Sequence, residues 1–275
     1  MDFINSWQIK YEINEYELIG YSRGAFGTGL MINPLKIFLD AGMKSQYEPN
    51  LILVTHGHCD HVCELYNILT SNCKKNIVPV VTPSSITGMI ATHINSHNSL
   101  SRGFPSKYNK CQIIGLSGTH RLIIQGKTIE LESFEMDHGV DTIGFGISEI
   151  RDRLKPEFIG REKELGELKK TIKITEEKIV PLFLFCGDTG NSVLATLPFD
   201  KFPTVIIEST FFAPEHVEEA RDRKHLHITD LEPYFVKNNN TRFILIHFSN
   251  RYELSVLKNY QEIYEKKYNN IKFFL

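Results

Sequence analysis

The chain has 275 residues, enough to bury a substantial core in one large domain or two small ones. It is 41% hydrophobic and 23% charged, a globular balance that excludes a disordered or fibrous chain. The net charge of −2 gives no overall basic bias toward nucleic acid, so a polyanion must be held by a local patch or by metal ions.

At the N-terminus no basic segment precedes an apolar run, so no signal peptide is expected. No stretch reaches the roughly eighteen apolar residues of a membrane span. Short apolar runs rich in Ile, Val and Phe then recur, each ending near Gly, Asp or Ser: 35–42, 50–57, 121–139, 141–147, 180–188, 204–210 and 242–249. These read as buried strands. Helical spacing is predicted over 61–70, 84–95, 214–221 and 252–266. The glycine run "GAFGTG" (24–29) reads as a loop between strands, and its spacing does not fit a dinucleotide fingerprint. No internal repeat is present. The pattern predicts an α/β protein, with two sheets face to face and helices outside, as a single domain over 1–275.

Two segments are basic. Residues 101–110 carry Arg102, Lys107 and Lys110, with Phe104 and Tyr108 between them, a mixture suited to nucleic acid. Residues 149–179 form a charged insertion, with nine Lys/Arg and seven Asp/Glu from Arg151 to Lys178. It reads either as a solvated surface excursion or as a projecting arm or lid. The cysteines, Cys59, Cys63, Cys73, Cys111 and Cys186, are odd in number and contain no C-x-x-C. That favours a reducing compartment. A cytoplasmic location is expected, with an organellar or viral source left open.

The chemistry concentrates in "LILVTHGHCDHV" (51–62). Its apolar start is a strand, its continuation has helical spacing, and Gly57 lets the backbone turn between them. Alternate residues on such a turn point to two neighbouring positions. His56, His58, Asp60 and His61 are therefore candidate ligands for zinc or a similar divalent ion. Burying them without a metal would leave polar groups in need of partners. Further ligands must come from other strand ends, where His138, Asp188 and His247 stand. Seven ligands suffice for two ions if one carboxylate bridges, and Asp188 is the natural bridge.

The H-x-H-x-D-H cluster, with a distant His, an Asp and a final His, resembles the metallo-β-lactamase fold of binuclear hydrolases. "FCGDT" (185–189), "IIESTF" (206–211), "HLHIT" (225–229) and "IHFSNRY" (246–252) resemble successive motifs of short-form tRNase Z, most nearly the plant type. That family trims the 3′ trailer from precursor tRNA. The resemblance runs from about Leu18 to the C-terminus, and it implies a four-layer αβ/βα sandwich of two packed mixed β-sheets with outer helices. It implies one zinc on His56, His58, His138 and Asp188, and a second on Asp60, His61, Asp188 and His247, with Mn2+ or another divalent ion as alternatives. It also implies precursor tRNA as substrate, a homodimer, no membrane, and an arm at 149–179 that is shorter than in bacterial relatives.

Two such ions would supply a hydroxide and neutralise the phosphodiester, and Asp60 would orient that water and take its proton. The ribose 3′-oxygen leaving group needs a proton. The resemblance assigns the donor to His227, in His227-Ile228-Thr229, with Glu208 holding its imidazole charged and turned. His225 is two residues away, and on a strand-like stretch both would point the same way. The hydroxyl at Thr229 favours His227. Asp40 is expected to hydrogen-bond a ligand histidine. His93 and His97 are four apart on a predicted helix, as a surface pair or a metal pair. Ser22, Arg23, Ser249 and Arg251 are candidates for substrate phosphate, Arg251 also for bracing the last loop. Two other classes fit less well. One is a hydrolase of the same fold acting on a small phosphodiester, sulfate ester or thioester. The other is a non-catalytic RNA-binding subunit, against which all seven ligands argue.

Overall fold

The computed structural model describes residues 9–13, 15–71, 77–161, 164–166, 169 and 172–275. Cys73, the first eight residues and parts of the 149–179 segment (162, 163, 167, 168, 170 and 171) lie outside the described residues.

The first sheet holds β1 (Ile9–Ile13), β2 (Tyr16–Gly24), β3 (Gly27–Asn33), β4 (Ile37–Leu39), β5 (Leu51–Leu53), β6 (Val78–Pro83) and β7 (Cys111–Leu116), in that order. The second holds β8 (Thr119–Ile124), β9 (Lys127–Glu135), β10 (Ile143–Leu154), β11 (Thr175–Phe185), β12 (Thr204–Glu208) and β13 (Arg242–Ile246). β14 (Phe248–Ser249) returns to the first sheet beside β2, and β15 (Ile271–Phe273) closes the second beside β13. Both sheets are mixed: β4 to β7 are parallel, as are β11, β12, β13 and β15, and the remaining hairpins are antiparallel.

Strand alternation explains the layering. Ile206, Ile244 and Ile246 face inward and join Leu39, Leu53, Phe145 and Phe183 in the core between the sheets. Their neighbours Val205, Ile207, Phe243 and Leu245 face outward, against α5 (Ile228–Lys237) and α6 (Leu254–Lys267). On the other side Phe38, Ile52, Val54 and Val80 pack against α1 (Cys59–Val62), α2 (Leu65–Ser71) and α3 (Thr87–Arg102). The expected four-layer αβ/βα sandwich is therefore found. A short α4 (Val217–Asp222) follows β12. No helix among the described residues is long and apolar enough to cross a membrane.

The structure corrects several boundaries. The run at 121–139 is a hairpin, turned at Gln125 and Gly126, both with positive φ (51° and 77°), as a two-residue turn requires. The glycine run is not a long loop. Only Ala25 and Phe26 turn, and Gly27 is already in β3, where a Cβ would lie 2.5 Å from Met43 Sδ. The helix expected at 84–95 continues to Arg102. The strand-like reading of 225–227 fails: the chain turns into α5 at Ile228, with His227 as its N-cap.

The charged insertion is the outer half of the β10–β11 hairpin. Its strands pair from Glu149–Val180 to Leu154–Thr175, past the last pairs with β9 (Ile150–Thr128) and with β12 (Phe183–Thr204). Several of its charges are already paired. Arg151 is 2.6 Å from both Glu15 and Glu149, and Arg161 is 2.5 Å from Glu164.

Candidate metal centre

Strand ends build the site. β4 ends at Asp40, β5 runs into His56, β11 into Asp188, and β13 into His247. Asp40 and His247 have left-handed backbones, φ 59° and 60°, which turn their side chains out of strand direction at the layer edge. Between β11 and Asp188 stands Gly187, at φ 63°. A Cβ there would press to 2.7 Å on Thr55, so the turn that delivers Asp188 needs glycine.

Four histidines are tied the same way. His56 Nδ1 donates to Thr55 Oγ1 at 2.9 Å, and His61 Nδ1 to Asp40 Oδ2 at 2.7 Å. His138 Nδ1 donates to the Lys224 carbonyl at 3.1 Å, and His247 Nδ1 to Thr210 Oγ1 at 3.1 Å. The two hydroxyls are acceptors here because each passes its own proton on, Thr55 to Asp40 and Thr210 to Glu208. With Nδ1 occupied, each ring turns an Nε2 lone pair inward.

Those inward atoms converge. His58 Nδ1 is 3.1 Å from both His56 Nε2 and His138 Nε2. Asp188 Oδ2 is 3.3 Å from His247 Nε2, 3.4 Å from His61 Nε2 and 3.9 Å from His56 Nε2. Asp60 Oδ2 is 3.5 Å from His247 Nε2 and 3.8 Å from His61 Nε2. Donors held about 2.1 Å from one tetrahedral ion stand about 3.4 Å apart, so these are ligand spacings. Asp188 Oδ1 is buried and has no hydrogen-bond partner among the described residues, an expensive state that a cation relieves. The residues thus form adjoining clusters able to hold metal: His56 with His58 and His138, His56 with His61 and Asp188, and Asp60 with His61 and His247.

Protonation is consistent with that use. Burial is the main cause that pushes His56 and His138 down, keeping both neutral. Burial opposes charge on Asp188 too, but His247, His61 and His56 overcome it and hold the carboxyl well below its usual range. Asp60 is held low in the same way by His247 and His61 against burial. Its Oδ2 also accepts the Ala25 N–H at 2.9 Å, so the β2–β3 turn aims this carboxylate. His61 is the exception. Burial works against its charge, but Asp188 and Asp40 raise it, so a metal must displace a proton there.

Asp40 sits as expected, fully buried and bound to His61. Replacing it with Asn puts an amide N–H against His61 Nδ1. The ring then carries its proton on Nε2, the atom needed inward. Metal affinity for Asp40→Asn is expected to fall about 10- to 100-fold, measured by chelator competition on folded protein.

The donor pairing expected from the sequence is corrected. Glu208 Oε1 accepts from His225 Nδ1 at 2.8 Å, not from His227. The His225 ring lies 5.1 Å from that of His138 and 5.5 Å from that of His247, at the edge of the cluster. Burial lowers its basicity, but the Glu208 carboxylate more than offsets this and pushes it up to about 9. His227 caps α5 instead. Its Nδ1 accepts from Thr229 Oγ1 at 2.7 Å and its Nε2 donates to the Ala213 carbonyl at 3.2 Å. Both nitrogens are spent on local structure.

Other candidates have structural duties. Arg23 donates to the carbonyls of Ser249 and Tyr252, and Ser22 Oγ accepts the His247 N–H. Arg251 makes two 2.7 Å bonds to Glu219 and lies over Phe211, bracing the last loop. Ser249 Oγ accepts from Arg251 N–H. His93 and His97 pack ring to ring, and no third donor joins them among the described residues. A cavity of about 540 Å³ opens beside His138, lined by Ser84, Ser117, Asp137, Val140 and Lys224. A smaller one of about 360 Å³ is lined by Phe26, Met43, Lys44, Cys63 and Glu64.

The architecture has solved counterparts. The metallo-β-lactamase fold protein YhfI of Bacillus subtilis superposes with a TM-score of 0.59 over 92% of each chain, at 12% identity. This chain has the metallo-β-lactamase fold. Human tRNase Z, short form, shares that fold with a TM-score of 0.57 over 92% of each chain, at 16% identity. In sequence the chain is 28% identical over 257 residues to tRNase Z TRZ1 of Arabidopsis thaliana, covering 90% of each. The resemblance read from the motifs thus extends over nearly the whole chain. No protein-family model matches it.

Proposed function

We propose that the protein is a metal-dependent endoribonuclease that removes the 3′ trailer from precursor tRNA. It leaves a 3′-hydroxyl on the tRNA and a 5′-phosphate on the trailer. The observation that carries this reading is His225, held by Glu208 at the rim of the metal cluster. Cutting a phosphodiester with an alkoxide leaving group calls for an acid beside the cation site. The choice of tRNA rests on the similarity to tRNase Z along the chain.

His56, His58 and His138 would hold one ion and Asp60, His61 and His247 a second, with Asp188 between them, and zinc suits this donor set. Bound there, such ions supply positive charge for the phosphodiester oxygens and a water acidic enough to react at neutral pH. The chain's own groups do the rest. Asp60, aimed by Ala25, orients the attacking water and accepts its proton. His225 donates a proton to the departing oxygen while Glu208 keeps its ring turned. The reading also takes 1–275 as one domain acting as a homodimer in the cytoplasm, with the β10–β11 hairpin as its arm. At about 3.3 Å per residue, the eleven residues of β11 carry the chain about 35 Å from Thr175, at the outer end of the paired strands, to Phe185 near Asp188. That reach suits duplex remote from the cut end.

Zinc-loaded protein is expected to cut a tRNA carrying a 3′ trailer and to give the stated ends on product mapping. Hydrolysis of a small chromogenic phosphodiester without tRNA cleavage would overturn the reading. Replacing 155–174 with a short turn should raise KM for precursor tRNA about tenfold or more and leave small-diester hydrolysis unchanged, the mark of lost remote binding.

A further inference from the structure

Cys59 and Cys63 flank Asp60 and His61, and the mechanism uses neither thiol. The Cys63 N–H donates to the Cys59 carbonyl at 2.9 Å, so the two residues are one α-turn apart across α1. Cys59 is exposed, and Cys63 is half-buried with Sγ donating to the Gly42 carbonyl at 3.4 Å. Cys111 and Cys186, the other described cysteines, lie elsewhere, on β7 and after β11.

We propose that Cys59 and Cys63 form a modification site, a reversible disulfide that switches the adjoining metal cluster off. One turn of helix separates Cα atoms by about 6 Å, inside the range a disulfide spans. The Cβ atoms of such a pair stand roughly 5–6 Å apart, however, against roughly 3.5–4.5 Å in a disulfide. Closing the bond therefore draws the two ends of α1 together by an ångström or more, and Asp60 and His61 sit between those ends. α1 is only four residues long, so it has little helix to resist the pull. A bond closed against strain is readily reduced, which suits regulation in a reducing compartment and not a permanent brace.

The chemistry needs a peroxide as oxidant. The exposed Cys59 sulfur attacks one peroxide oxygen, the O–O bond breaks, and water leaves with the thiol proton. The Cys63 sulfur then displaces hydroxide from the sulfenic acid, forming S–S and a second water as its own proton leaves. Two thiols give up two electrons and one peroxide takes them.

The proposal rests on the endoribonuclease reading only for its activity measurement. Metal-loaded protein is treated with hydrogen peroxide, alkylated and weighed intact, with peptide mapping and metal analysis in parallel. The expected result is a loss of two hydrogens, a Cys59–Cys63 peptide, and release of metal. Precursor-tRNA cleavage should fall about a hundredfold, the cost of misplacing groups by about 1 Å. Dithiothreitol with fresh metal restores all of these. Cys59→Ser and Cys63→Ser proteins should show neither the mass loss nor the metal release. Oxidation of Cys59 to sulfinic acid without a bond, a bond that leaves the metal in place, or equal metal loss in the serine variants would overturn the proposal. If untreated protein cuts no precursor tRNA, the functional reading fails, and the mass and metal results still decide the disulfide.

Discussion

Asp188→Ala is expected to lose precursor-tRNA cleavage by about a thousandfold or more while remaining folded, a loss of about 4 kcal/mol of transition-state stabilisation. Asp188 Oδ2 faces three imidazole Nε2 atoms within 3.9 Å, and Oδ1 has no hydrogen-bond partner among the described residues. Among the described residues it is the one carboxylate grouped with both His56 and His61. Without it, the inward lone pairs of His56, His61 and His247 have no anion to share a cation with. Losing an outer partner of a metal ligand costs about 10- to 100-fold in affinity, and losing the proposed bridging ligand should cost more. Folding is expected to survive, because alanine leaves the Nδ1 bonds of all four histidines in place. Metal analysis should give fewer ions per chain than wild type, with circular dichroism unchanged. Full metal content with full activity would rule Asp188 out as the bridge.

Much of this site was legible in the sequence because it lies where local signals are strongest. His56 and Asp188 end apolar runs, and strand ends at a sheet edge converge whatever the intervening loops do. The layering was legible for a similar reason, since alternation in runs such as 242–246 fixes which side chains face each layer. What escaped depends on the third dimension. The Ala25 N–H that aims Asp60 has no sequence signature, because any residue can offer a backbone donor at a turn. The Lys224 carbonyl that orients His138 is eighty-six positions away. Thr210, which joins Glu208 to His247, was hidden inside a motif read only for its acid. The misplaced partner of Glu208 was avoidable. His227 stands three residues before Asp230, and Ile228, Leu231 and Phe235 follow at helical spacing, which is an N-terminal capping pattern. A helix starting at Ile228 turns His227 away from the direction of His225 and leaves His225 as the histidine able to meet Glu208.

That distinction gives the second large effect. His225→Ala should lower kcat for precursor tRNA by about 10²- to 10⁴-fold, the usual contribution of a placed acid, with KM nearly unchanged. His227→Ala should keep kcat and cost about 1 kcal/mol of stability through loss of the α5 cap. Equal kcat losses in the two would refute the assignment. The pH profile supplies a check that a merely structural His225 would not pass. Its basicity is pushed up to about 9, above the ordinary value of about 6.5, so the donor is charged at neutral pH and the rate should fall as pH rises through about 9. The stability from the His225–Glu208 pair follows the same sign, fully present below about 6.5 and lost as pH rises through about 9. Glu208→Gln keeps a hydrogen-bonding oxygen but removes the charge. The alkaline fall in kcat should then move down toward 6.5, and a substrate with a leaving group that needs no proton should be cut at a rate that neither variant changes much. A Glu208→Gln profile identical to that of the wild type would show that His225 is not the acid.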